Sequence, residues 1–208
     1  MLLENTTIEF LNKLASGEPV PGGGGASAAV GAFAAALGSM VSNLTIGKKK
    51  YADVEAEVTT LKEQLQTLQE ELIHLVDKDA EAFLPLAEAY RLPKNTEEEQ
   101  AYKAQVMEEA LYGASALPIQ IMETILKVLR VLEKLSDKGS RLAISDVGAG
   151  ALFAQAALEG ASLNVYINAG MMKNQERASQ LIHRADDLIR EGQLLKEQAY
   201  KVVLEQIR

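Results

Sequence analysis

One stretch, residues 19–29, limits the fold more than any other, because two prolines and four consecutive glycines lead directly into a helix of small residues. Consecutive glycines lose more backbone entropy on folding than other residues, so a protein keeps them where its backbone turns sharply or approaches another group closely. The helix predicted to follow, about residues 26–45, begins with unpaired N–H groups at the positive end of its dipole. We therefore predict that Gly22, Gly23 and Gly24 bind a polar or anionic ligand, and the alternative is a turn imposed by close helix packing.

The composition excludes several kinds of site. The chain of 208 residues has no cysteine and only two histidines, so we expect no metal site, and the chemistry must come from carboxylates, amides, lysine, serine or tyrosine. A net charge of −8 argues against a nucleic-acid partner, because nucleic-acid-binding proteins present a basic surface to phosphate. No charge lies between Glu18 and Lys48, but small residues dominate there, so we expect no membrane span. A single cytoplasmic domain over residues 1–208 is the resulting prediction.

Apolar residues recur at every third or fourth position through most of the chain, and no stretch alternates as a strand does. This pattern predicts an all-α fold, a single-domain bundle of long helices with two central small-residue helices. One of the two follows the glycine run, and Ser145 or Asp146 is expected to cap the other, which runs through Gly160. Whether the pair is parallel or antiparallel stays open. Pro85 and Pro118 are expected to shorten or bend their helices.

Two aspartates are candidates for the chemistry. Asp79 falls on the leucine seam of a long helix that starts near Asp53, and a carboxyl that faces an apolar interior has a raised pKa unless a cation or donors compensate. Asp79 is therefore the candidate acid and base, although a structural aspartate paired with a lysine or a helix N-terminus would give the same pattern. Asp146 starts a helix, so its anion should be stabilised by the dipole and serve as a fixed electrostatic partner.

Five short segments, taken together and in this order, form a pattern that is specific for one protein family. They are 19–24 (PVPGGG), 43–51 (NLTIGKKKY), 79–83 (DAEAF), 145–148 (SDVG) and 164–168 (NVYIN). They resemble the formiminotetrahydrofolate cyclodeaminase / methenyltetrahydrofolate cyclohydrolase family over most of the chain. The resemblance implies a dimeric, all-helical enzyme that closes 5-formiminotetrahydrofolate to 5,10-methenyltetrahydrofolate with release of ammonia. It equally allows hydrolysis of the closed ring. The alternative from another functional class is a helical module that binds folate or acts as a scaffold and has no catalytic activity.

The resemblance also assigns roles to residues. Neither reaction needs a metal or any cofactor beyond tetrahydrofolate, and the expected partners are the folate substrate and a second copy of the chain. Folate carries a glutamate tail, for which the three consecutive lysines are a candidate anchor, the alternative being a solvated basic turn. The expected catalytic residues are Asp79 and Asp146. The expected substrate-binding residues are Gly22, Gly23, Gly24, Asn43, Lys48, Lys49, Lys50, Ser145, Asn164 and Asn168.

Overall fold

Six α-helices carry the fold, and the structure, a computed structural model, describes residues 1–208. The all-α class predicted from the helical period is confirmed, since no strand is present. Short 3-10 helices occupy Leu2–Glu4 and Lys49–Tyr51. The α-helices are α1 (Thr7–Leu14), α2 (Gly23–Thr45), α3 (Glu55–Arg91), α4 (Glu97–Leu135), α5 (Ile144–Gly170) and α6 (Gln175–Ile207).

The glycine run is part of a helix, which corrects the prediction of a loop ending near residue 26. Gly22 is the N-cap of α2, and the next three glycines form the first turn, where the Ser27 hydroxyl donates to the carbonyl of Gly23 over 2.8 Å. Glycine is a poor helix former, but a first turn has few intrahelical bonds to lose, and its missing side chains allow close contact with α3. The run is therefore ordered backbone pressed against a neighbouring helix.

The start of α5 differs from expectation, and both internal prolines lie within long helices that continue past them. Ala143 is the N-cap of α5, so Ser145 and Asp146 do not cap the helix and lie instead in its first turn. Pro85 lies inside α3, which spans 37 residues, and Pro118 lies inside α4, which spans 39. An internal proline costs a helix about 3 kcal/mol, and the long buried faces of these helices outweigh that loss.

The two small-residue helices run antiparallel, which answers the question that the sequence left open. A Cβ built on Gly150 would lie 3.2 Å from the carbonyl oxygen of Ala34, and one on Gly160 would lie 2.9 Å from the Ser27 hydroxyl. Residues near the start of α2 thus contact residues near the end of α5, and later residues of α2 contact earlier residues of α5. The close approach explains the glycines, because side chains at these positions would push the helices apart. The start of α2 therefore adjoins the end of α5.

Both helices also carry an exposed apolar stripe, so neither is fully buried as a central helix was expected to be. On α2 the stripe includes Phe33, which is 54% exposed, and on α5 it includes Leu163, which is 65% exposed. The stripes adjoin, since partly exposed Leu37 lies 3.6 Å from a Cβ built on Gly150. We call their exposed residues the apolar face. Its larger members are Phe33, Met40, Leu44, Leu152, Phe153, Leu163 and Ile167.

Helix α2 is long and apolar enough to cross a membrane by length and composition alone. In the bundle, 67% of its most apolar window is buried. Its buried side packs on the core leucines of α3 and on α4, where a Cβ on Gly38 would lie 2.8 Å from Leu65 and 2.7 Å from Leu132. The helix is thus a core element on one side and part of the apolar face on the other.

Candidate functional site

Asp79 meets the first turn of α2, and this contact is the centre of the candidate site. Its Oδ2 accepts a hydrogen bond of 2.8 Å from the N–H of Gly25. A Cβ on Gly24 would lie 2.2 Å from Oδ1 of the same carboxyl, so only glycine fits there. The N–H groups of Gly23 and Gly24 have no acceptor within the chain and stay free for a ligand.

The leucine seam of α3 carries Asp79 to this position. Leu72, Leu75 and Val76 are buried one and two turns before it, so the aspartate follows them on the inward side of the helix. Burial raises the pKa of the Asp79 carboxyl, and the hydrogen bond from Gly25 offsets part of that rise. The direction is the one that the sequence predicted for a carboxyl on this seam. Such a group can carry a proton nearer to neutral pH than an exposed aspartate can.

Two amides from the end of α5 complete the pocket. Asn164 lies beside the glycine turn, with its Nδ2 3.6 Å from a Cβ built on Gly23. Asn168, one turn later, donates from Nδ2 to the carbonyl of Ala114 over 2.9 Å, which fixes the side chain and leaves its Oδ1 as an acceptor. The cavity has a volume of about 130 Å³. Its lining residues are Pro19, Val20, Gly22, Gly23, Gly24, Asp79, Ala82, Phe83, Ala114, Pro118, Asn164 and Asn168, which we call the Asp79 pocket.

The three predicted lysines lie elsewhere, just after the end of α2. Lys48 donates to the Ser140 hydroxyl over 3.4 Å, and the Tyr51 hydroxyl accepts a bond of 3.0 Å from the N–H of Arg141. This hydrogen bond and the nearby lysines lower the pKa of Tyr51. The exposed cations Lys48, Lys49, Lys50 and Arg141 form what we call the basic end.

The predicted site residues thus fall into two groups at opposite ends of the α2–α5 pair. Gly22, Gly23, Gly24, Asp79, Asn164 and Asn168 come together in the Asp79 pocket. Helix α2 has 23 residues and is about 33 Å long at about 1.5 Å per residue, so the rest lie far from that pocket in the same chain. The distant group is Asn43, Lys48, Lys49, Lys50, Ser145 and Asp146, the last two in the first turn of α5.

Sequence reasoning missed several residues of these sites. Gly25 is the donor to Asp79, and its place in the glycine run was the available signal. Tyr51 closes the lysine segment, but its role depends on Arg141, which the chain reaches only 90 residues later. Nothing in the sequence pairs those two.

A larger open groove of about 500 Å³ between α3 and α4 is lined by Lys127, Arg130 and Lys134 and holds none of the predicted residues.

Comparison with known proteins finds similarity over nearly the whole chain. A family model described as formiminotransferase-cyclodeaminase matches residues 6–187. A methenyltetrahydrofolate cyclohydrolase of Methylorubrum extorquens is 43% identical over 96% of each chain. The formimidoyltransferase-cyclodeaminase of mouse is 32% identical over 92% of this chain, which spans 35% of that longer protein. The crystal structure of formiminotetrahydrofolate cyclodeaminase from Thermotoga maritima superposes with a TM-score of 0.88 over the whole of both chains, at 26% identity.

Proposed function

Because this chain belongs to the formiminotransferase-cyclodeaminase family, we propose that its Asp79 pocket holds the one-carbon unit of tetrahydrofolate. The observation that carries the proposal is the environment of Asp79. It is the only titratable residue that lines the pocket, burial raises its pKa, and free N–H groups and two amides surround it. A carboxyl so placed suits proton transfer on a substrate that the amides and N–H groups orient. Asp79 is the general acid and base of the proposal.

The first candidate reaction is deamination with ring closure. N10 of 5-formiminotetrahydrofolate attacks the protonated amidine carbon, so that a C–N10 bond forms and the carbon becomes tetrahedral. Asp79 takes the proton from N10 and delivers it to the amino group, which leaves as ammonia when its C–N bond breaks. The product is the 5,10-methenyl cation, so charge is conserved. One carboxyl can serve both transfers because the same proton leaves one nitrogen and reaches the other.

The second candidate is hydrolysis of the methenyl ring. Asp79 as a carboxylate accepts a proton from water, whose oxygen bonds to the same carbon. The C–N5 bond then breaks, one water proton ends on N5, and one is released to solvent. The single base that this requires is present in the pocket.

Each reaction has its own support among the relatives. The 43% identity over nearly all of both chains is with a cyclohydrolase, which favours hydrolysis. The solved structure that aligns over the whole chain is named a cyclodeaminase, which favours ring closure. Both act at one carbon, and 5,10-methenyltetrahydrofolate is the product of one and the substrate of the other. We therefore propose this compound as the ligand common to both.

We also propose that the protein is a homodimer joined through the apolar face. The two helices, about 33 Å (α2) and about 40 Å (α5) long and side by side at about 8–10 Å, cover roughly 600–700 Å² in projection. This approaches the roughly 800 Å² per partner of a standard interface and reaches the upper end of the roughly 300–600 Å² that the largest apolar patch of a monomer covers. A second copy is the occupant that the family resemblance implies. The cytoplasmic location and the independence of cofactors beyond tetrahydrofolate remain predictions from the sequence.

One pair of assays separates the possibilities. The purified protein is mixed with 5-formiminotetrahydrofolate, and release of ammonia together with appearance of the methenyl chromophore would identify ring closure. It is mixed separately with 5,10-methenyltetrahydrofolate, and faster loss of that chromophore than in buffer would identify hydrolysis. Binding without turnover in both assays would contradict the proposal and favour a non-catalytic folate-binding module.

A further inference from the structure

The Asp79 pocket is too small to hold a folate by itself. Its volume of about 130 Å³ is below the roughly 300–1,000 Å³ of ordinary ligand pockets, and no cation lines it. A pocket of this size can enclose no more than the reacting part of the substrate, so the anionic tail would extend past the rim. Part of that rim is made by Asn164 and Asn168, which directly follow Leu163 and Ile167 of the apolar face. A ligand leaving the pocket on that side therefore meets the apolar face.

The cations that could receive an anionic tail lie at the other end of the same face. Lys48, Lys49, Lys50 and Arg141 are exposed, about the full length of α2 away from Asp79. They are also held in place. The hydrogen bond from the Arg141 N–H to Tyr51 ties the lysine segment to the start of α5, as does the contact of Lys48 with Ser140. None of the three lysines forms a salt bridge, so an ordered cluster of this kind is a ready site for carboxylates.

We infer that the active site is shared between two copies, with the Asp79 pocket of one chain facing the basic end of its partner. The inference rests on the proposed function and extends it, because it assigns the tail of the folate to the second subunit. Lys48 and Lys49 are then substrate-binding residues for the partner's site. Each dimer has two such sites, related by the two-fold axis.

Two limiting arrangements are compatible with two-fold symmetry. When two copies meet through one face, the two-fold axis lies in the plane of the interface. If the axis is parallel to the helices, pocket meets pocket and basic end meets basic end. If it is perpendicular to them, α2 of one copy runs antiparallel to α2 of the other, and each pocket meets a basic end.

The distribution of charge favours the antiparallel arrangement over the parallel one. The parallel choice brings two basic ends together, where Lys48, Lys49, Lys50 and Arg141 of each copy outnumber the neighbouring Glu55 and Asp146, and the repulsion of this net positive charge opposes association. The antiparallel choice separates them and places each near Asp79, Asp77 and Glu18 of the other copy, which lie at the pocket end. It also supplies the cations that the pocket lacks.

Mixed dimers test the inference. Asp79→Asn disables the pocket, and Lys48→Glu disables the basic end, so each variant alone should lose most of its kcat/KM, measured with substrate well below KM. Co-expressed chains with two different tags yield a purified dimer with one variant of each kind. If the site is shared, one of its two sites combines an intact pocket with an intact basic end, and activity returns to about half of the wild type.

The other outcomes overturn the inference. If each site lies within one chain, both sites of the mixed dimer are damaged, and it stays as inactive as its parents. Wild-type activity in both Lys48→Glu and the double variant Lys48→Ala, Lys49→Ala would show that the basic end does not take part in the site. Inactive wild-type protein on both folates would instead contradict the proposed function, so the two failures can be told apart. Lys201→Glu, whose lysine is 77% exposed on α6, is the matched control and should keep full activity.

Cross-linking gives a second readout that does not depend on activity. The chain has no cysteine, so single cysteines can be introduced without background reaction. Ile167→Cys marks the pocket end and Leu44→Cys the basic end of the apolar face. A short bis-maleimide should join the two variants to each other in mixed dimers. Efficient joining of Ile167→Cys to itself would show the parallel arrangement and overturn the inference.

Discussion

A Cβ on Gly24 would lie 2.2 Å from Oδ1 of Asp79 and 2.7 Å from its Cγ, so the helix turn and the carboxyl occupy space that any larger residue would need. Gly23, one residue earlier, is different, because its Cβ would meet Asn164 at an ordinary 3.6 Å. Glycine is therefore required at position 24 by the contact with Asp79, whereas position 23 has room for a Cβ. Comparing substitutions at the two positions separates the effect of that contact from a general need for flexible backbone.

Gly24→Ala should displace the Asp79 carboxyl and lower kcat by about 100-fold or more, the usual worth of a positioned proton-transfer group. Overpacking should also cost about 1–3 kcal/mol of unfolding free energy. Gly23→Ala is the matched control and should fold normally with a much smaller loss of activity. Steady-state kinetics and urea unfolding of both variants test this, and equal effects on kcat would show that the contact with Asp79 is not the reason for the glycine.

Asp79→Asn should lower kcat by about 100- to 10,000-fold with little change in KM, because the amide keeps an oxygen for Gly25 but cannot transfer the proton. The wild-type enzyme should show a rise of kcat/KM with pH as Asp79 ionises, placed above the ordinary aspartate range because burial raises its pKa. The variant should lack that limb. A pH–rate profile unchanged in shape would assign the limb to another group.

The same substitution should stabilise the fold at neutral pH. A carboxyl whose folded pKa is raised binds its proton more tightly when folded, so wild-type stability is greatest below the unfolded pKa and falls as pH rises through the folded pKa. Asp79→Asn removes that loss. Its Tm should therefore exceed the wild-type Tm at pH 7.5 by more than at pH 4, measured by calorimetry. A difference that is the same at both pH values would contradict burial of the charged form.

The sequence predicted the parts of the site that depend on local pattern. The position of Asp79 on a leucine seam was enough to predict its inward direction and raised pKa, because a helix fixes which residues share a face. The start of α2 was misplaced, since glycine has low helix propensity and only the packing against Asp79 and Val76 explains a helical turn there. Propensity cannot report such a contact.

The relation between the lysines and the pocket depends on tertiary structure and could not be read from the chain. The segment from Asn43 to Tyr51 and the segment around Asp79 both belong to the family pattern, which indicated one site. The antiparallel packing of α2 and α5 separates them within a chain, and the direction of that packing is decided by contacts such as Gly150 with Ala34. Sequence spacing contains no information on that direction.

The double variant Lys48→Ala, Lys49→Ala should raise KM about tenfold with little change in kcat, since binding of a tail is remote from the reacting carbon. The increase should be larger for polyglutamylated than for monoglutamylated folate and should shrink at high salt, which screens exposed charges. Lys201→Ala on α6 is the control and should leave KM unchanged. Equal effects on both folates would favour a solvated basic turn.

Phe33→Asp should convert the protein to a folded monomer. It introduces a charge in the middle of the apolar face, and burying an unpaired carboxylate in an interface costs more than the remaining apolar contacts there supply. Leu194→Asp is the matched control, because Leu194 is 61% exposed on α6, away from that face, and the variant should remain a dimer. Sedimentation velocity at micromolar concentration measures the state of both, and far-UV circular dichroism shows whether the helices persist.

Activity of the same two variants links the dimer to the chemistry. A folded Phe33→Asp monomer retains Asp79, the glycine turn and both asparagines, so a site contained in one chain would keep its kcat. A site that needs the partner's basic end would instead bind folate weakly, and KM should rise by at least as much as in the double lysine variant. Adding the lysine changes to the monomer should then have no further effect, because those lysines no longer face a pocket. A further rise in KM in that triple variant would show that each chain uses its own lysines.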